Sequence, residues 1–139
     1  MTQEQKDLLI KDLCARLPYG VKIALKNSEA YHHDNVAKRG DVTIDRLKGF
    51  DGKYFSIYHD NPLDWDWYVN DVNVEDIKPY LFPLSSMTEE QREEYHKMLY
   101  DPENGINIDY FDWCHKNHFD CRRLIEKGLA IDATNLNIY

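Results

Sequence analysis

The sequence predicts a single α+β domain of 139 residues: an N-terminal helix, four to five short antiparallel strands and two to three C-terminal helices. Three observations carry that expectation. Apolar residues recur at helical spacing near the start. Short alternating runs with turn signals fill the middle. A helical period returns in the last third.

The first helix begins at Thr2, with Gln5 three residues on as its capping-box partner. Leu9, Ile10, Leu13, Cys14 and Leu17 form its apolar stripe, and Pro18 and Gly20 of "LPYG" end it. That stripe makes Cys14 a core thiol. "VKIAL", Val21 to Leu25, alternates as a strand, whereas "KNSEAYHHDNVAKRG" has no period and reads as a loop or hairpin excursion. "DVTIDRLKGF" places Val42 and Ile44 on one face and ends at the Asp51-Gly52 turn. "KYFSIYH" and "DWDWYV" are two further strands around "DNP", and Val72 and Val74 suggest a short fifth. Pro79 and Pro83 are expected to force an extended segment outside the sheet. Whether the strands curl into a small barrel stays open.

Thr88 and Gln91 form a second capping box, opening a helix with Gln91, Tyr95, Met98 and Leu99 inward. Asp101-Pro102 stops it. "DCRRLIEKG" reads as a last helix, capped by Asp120 and stopped by Gly128.

Charge narrows the function classes. Lys plus Arg number 17 against 25 Asp plus Glu, a net charge of −8. Residues 1–48 balance at +2 and residues 49–139 at −10. Most of such a surface repels phosphates, so no nucleic-acid partner is expected. No apolar run approaches membrane-spanning length, and the polar start "MTQEQKDLLIKDLC" does not resemble a secretory signal. Three cysteines, an odd count, point to thiols in a cytoplasm.

Chemical motifs are sparse. "DWCHKNHFDC" gathers Cys114, His115, His118 and Cys121, and Cys114, His118 and Cys121 would share one face of a continuous helix. Yet seven residues of helix separate the two cysteines by about 10.5 Å along the axis. One zinc needs their α-carbons within about 7 Å. Only a break near Asn117 to Asp120 would bring them together, so packing between C-terminal helices is the expected role, with no cofactor. "AYHHDN" and His59-Asp60 supply His–Asp neighbours that read as loop and turn chemistry. Glu89, Glu90, Glu93 and Glu94 read as a solvated helix face. No phosphate loop, nucleophile elbow or zincin motif occurs, so no catalytic residue is expected.

The aromatic and acidic tract from Asp60 to Pro83 is the remaining functional candidate. Trp65, Trp67, Tyr68, Tyr80 and Phe82 lie among Asp64, Asp66, Asp71, Glu75 and Asp76, a composition that suits a protein-binding face. A second reading is an acidic DNA mimic, since residues 51–112 hold fifteen acidic side chains against four basic. A third is a hydrolytic or metal-dependent enzyme using His and Asp.

"KDLCARLPYGVK", "IKPYLFPLSSMTEEQ" and "HFDCRRLIEKGLA" resemble phrases of small proteins encoded in prophages and other mobile elements of gut bacteria. The resemblance covers about half of the chain. It implies a mobile-element origin and assigns no activity and no site residues.

Overall fold

The computed structural model describes residues 1–26, 43–59, 67–99 and 109–139. Helix α1, Gln3–Arg16, starts at the Thr2–Gln5 capping box, with both reciprocal hydrogen bonds formed. Its buried side is Leu9, Asp12, Leu13 and Arg16, spaced at three and four residues. A 3-10 turn at Leu17–Tyr19 and Gly20, at φ 64°, redirect the chain into β1, Lys22–Leu25. Such a positive φ is where glycine has no Cβ penalty.

The remaining strands are β2 (Thr43–Phe50), β3 (Phe55–His59), β4 (Trp67–Val72), β5 (Ile77–Leu81) and β6 (Ile131–Asp132). They form one open sheet in the order β4-β3-β2-β1-β5-β6. All pairings are antiparallel except β5 with β6. Among the described residues β4 and β6 are therefore the ends of the sheet, which is open there. The sixth strand escapes a sequence reading because two residues carry no alternation.

Helix α2, Glu89–Leu99, opens on the Thr88–Gln91 box. Helix α3, Asp109–Lys116, packs against it. No helix among the described residues is long and apolar enough to cross a membrane.

Two expectations change, at Pro79 and in the final helix, and the register of β2 settles which of its faces is buried. Pro79 lies inside the sheet, opposite Ile23 of β1. Proline has no N–H for a ladder, but β6 reaches only Tyr80 and Leu81, so β5 needs no donor on its outer side at Pro79. Ile44 is 48% exposed, while Asp45 and Leu47 are buried. Register explains this: Asp45 pairs with Ile23 and Ile44 with Ala24, so Asp45 takes the side facing the main core. Val42 lies outside the described residues. The final helix does not form. Asp120 does accept hydrogen bonds at 2.8 and 2.9 Å from Leu124 and Ile125, as a cap would. However, Arg123 takes φ 58°, and residues 121–128 become successive turns ended by Gly128 at φ 72°.

The main core packs Leu9 and Leu13 of α1 onto Ile23, Leu25, Leu47, Phe55, Ile57, Val69, Ile77 and Leu81. A second cluster joins Met87, Trp113, Cys114 and Phe119, where Trp113 and Phe119 stack at 5.5 Å. The second cluster and α1 enclose the polar site.

Candidate functional site

Helix α3 ends in a reversal at residues 117–119. His118 adopts φ 61°, and the Phe119 amide donates to the Cys114 carbonyl at 2.8 Å, a Schellman-type closure. The next residues bridge to β5's extension: Phe82 N–H donates to the His118 carbonyl and Asp120 N–H to the Phe82 carbonyl, both at 2.8 Å. This is the break that a shared cysteine site requires. It folds Cys121 back onto α3, where it packs against the cluster that contains Cys114.

His118 does not join them. Its ring stacks on Tyr139 at 3.8 Å, and Nδ1 is buried without a hydrogen-bond partner. His115 takes the place beside the thiols: its Nε2 lies 3.9 Å from Cys121 Sγ and 3.8 Å from an oxygen of Asp12. Of the candidates Cys114, His118 and Cys121, only Cys121 joins the cluster of donor atoms, together with His115 and with Asp12 from α1.

Asp12 and Arg16 are both fully buried. Arg16 Nε donates to Asp12 Oδ2 at 2.7 Å and Nη2 to Oδ1 at 3.2 Å, a bidentate pair. The same Nη2 donates to the Phe119 carbonyl at 2.8 Å, tying α1 to the reversal. Arg122 Nε approaches Asp12 Oδ1 at 3.4 Å as an ion pair without hydrogen-bond geometry. Sequence reasoning treated α1 only through its apolar stripe. The missed signal was Asp12 and Arg16 at i,i+4, each three residues beyond a stripe leucine.

The electrostatics separate the two thiols. The neighbouring Cys114 thiol pulls the Cys121 thiol well below its ordinary value, aided by His115 and the Arg16 guanidinium and opposed by burial. Cys114 moves up, first through the Cys121 thiol and then through burial. Burial also raises Cys14. Asp12, His115 and Cys121 each offer a donor atom, all within 4.8 Å of one another, and are the described residues arranged to hold a metal. Both carboxylate oxygens of Asp12 already serve Arg16, so a divalent cation would have to displace a guanidinium.

The aromatic tract divides. Trp67 and Tyr68 lie on β4, opposite His59 and Tyr58. Tyr80 is buried on the reverse side of the sheet with Ala24 and Ala133, because its place on β5 is interior. Phe82 is half-buried against Phe119 and Tyr139, so neither Tyr80 nor Phe82 is an exposed anchor. Trp65, Asp60, Asp64 and Asp66 lie outside the described residues, as do His32, His33 and Asp34.

Desolvation, followed by the Arg16 and Lys22 charges, lowers the His118 pKa from 6.5 to about 4. The neutral ring is therefore favoured in the folded state. Below pH 6.5 the unfolded chain takes a proton that the folded chain refuses, so stability falls with pH until about 4 and then levels. Allowing for the ring's partial solvent contact, the loss attributable to His118 is about 1–2 kcal/mol. Urea titrations of wild type and His118→Asn at pH 7 and pH 4.5 measure it. Asparagine tolerates the positive φ, and the variant is expected to lose less stability on acidification.

Comparison of the chain with protein-family models, with curated proteins and with solved structures finds no match.

Proposed function

We propose that the protein acts by binding a partner protein at the β4 end of its sheet, as a non-enzymatic cytoplasmic component of phage or mobile-element type. One observation carries the reading. Among the described residues β4, Trp67–Val72, is the terminal strand of the sheet, and Trp67 and Tyr68 of the aromatic and acidic tract lie on it. An end strand offers backbone groups to an added strand, and aromatic neighbours supply contact area. Asn70 and Asp71 are exposed on it, and the second part of the chain is strongly acidic, so the partner expected is a basic extended segment. Free thiols at Cys14, Cys114 and Cys121 suit a reducing cytoplasm.

The test compares affinity capture from host lysate by wild type and by a Trp67→Ala/Tyr68→Ala variant that retains its circular dichroism spectrum. A captured protein lost with the variant, and protection of β4 amides from hydrogen exchange in the complex, are the expected results. No captured protein, or capture indifferent to the substitutions, overturns the reading.

The four glutamates of α2 favour a second one. Glu89, Glu90, Glu93 and Glu94 are all exposed and form two i,i+4 like-charge pairs, which costs the helix stability. A DNA-mimic role would use that stripe. It requires salt-sensitive competition with DNA for a DNA-binding protein, abolished by Glu90→Lys/Glu94→Lys.

A further inference from the structure

We propose that Cys121 and Cys114 form a dithiol site for hydroperoxides, with Cys121 as the reacting sulfur and Cys114 as the sulfur that resolves it into a disulfide. This goes beyond partner binding and does not depend on it.

The geometry supplies each part. The reversal at residues 117–119 brings Cys121 against the buried cluster that contains Cys114. Cys121 is half-buried, whereas Cys114 is fully buried, which fixes which sulfur meets an incoming molecule. His115 stands 3.9 Å from Cys121 Sγ. Arg16 Nη1 and Arg122 Nε are buried without a hydrogen-bond acceptor, and Arg122 directly follows Cys121 in the chain. Arg122 Nε lies 3.4 Å from Asp12, whose carboxylate is within 4.8 Å of the Cys121 sulfur, so guanidinium charge stands beside the site where negative charge would develop on a peroxide oxygen. The lowered thiol value of Cys121 agrees with that environment.

The steps balance as follows. The Cys121 thiolate attacks one peroxide oxygen and the O–O bond breaks. The departing oxygen takes a proton from solvent and leaves as an alcohol or water, while Cys121 is oxidised to its sulfenic acid. Cys114 sulfur then attacks the Cys121 sulfur. The S–O bond breaks, and the hydroxide leaves as water with the Cys114 proton. A dithiol reductant returns two electrons and two protons to restore both thiols.

Full-length protein, purified without an affinity tag and under reducing conditions, tests the site. After desalting, it is exposed to hydrogen peroxide at neutral pH, quenched by alkylation and digested with trypsin, which cuts after Lys116 and separates the two cysteines. The expected product is a Cys114–Cys121 linked peptide, reversible by dithiothreitol and formed about tenfold faster than Cys14 is oxidised. In Cys114→Ala, a sulfenic-acid trap should label Cys121. Arg122→Gln should slow the wild-type reaction several-fold. Peroxide consumption by Cys121 no faster than by Cys14, or a disulfide that engages Cys14 instead, overturns the proposal. Stoichiometric zinc in the untagged protein, released on Cys121→Ser, also overturns it in favour of a metal centre.

Discussion

Asp12→Ala is expected to lower the unfolding free energy by about 3–5 kcal/mol, because it leaves a buried guanidinium without its counter-charge. Arg16 is fully enclosed and both of its hydrogen bonds to a charged partner go to Asp12. Arg122 and His115, which also face Asp12, lose the same anion. The double variant Asp12→Leu/Arg16→Met removes both charges and should recover most of that loss. Its residual cost is about 1–2 kcal/mol, since the Phe119 carbonyl loses the donor that Arg16 supplied. Urea denaturation of wild type, Asp12→Leu, Arg16→Met and the double variant closes the double-mutant cycle. Equal losses in single and double variants would mean that Asp12 acts through packing instead of charge.

Phe55→Ala should cost about 3–5 kcal/mol, the range for removing an aromatic side chain from a closed core. Phe55 has no exposed surface and meets Phe50 with ring centroids 4.5 Å apart. Register shifts flank it on both sides, toward β2 and toward β4, so neighbouring strands cannot slide to refill the space without changing their pairing. Ile44→Ala is the control: at 48% exposure it should shift stability by no more than about 0.5 kcal/mol. A larger loss at Ile44 than at Phe55 would reverse the assignment of faces in β2.

Local chemistry explains which elements were legible. Thr2–Gln5 and Thr88–Gln91 are contiguous signals whose hydrogen bonds form within one turn, and both helices start there. The order of helix, short strands and helices followed from changes in apolar period. Which face of β2 is buried was not legible, because that depends on its partner's register, and β1 brings Ala24 opposite Ile44. Pro79 was misplaced because its tolerance depends on how far β6 extends, which no window around Pro79 contains. In the candidate site, the cysteine pair was visible and the need for a break was derivable from helix geometry. The exchange of His118 for His115 was not, since one positive φ decides which histidine faces α1. Asp12 lies 103 residues from His115 along the chain, by sequence an isolated charge on an apolar helix side.

The Arg16 hydrogen bond to Phe119 has a kinetic side as well. It closes a separation of 103 residues, and the Tyr139 hydroxyl that holds Lys22 N–H and the Tyr80 carbonyl closes one of 117. β1, between β2 and β5, is pinned at its first residue by that tyrosine. During synthesis, α1 and β1 leave the ribosome long before these contacts exist. Arg16 must stay hydrated until residues 119–139 arrive, so the N-terminal third cannot settle alone. Native docking of α1 is therefore a late event, governed by closure of nearly the longest loop that the chain allows.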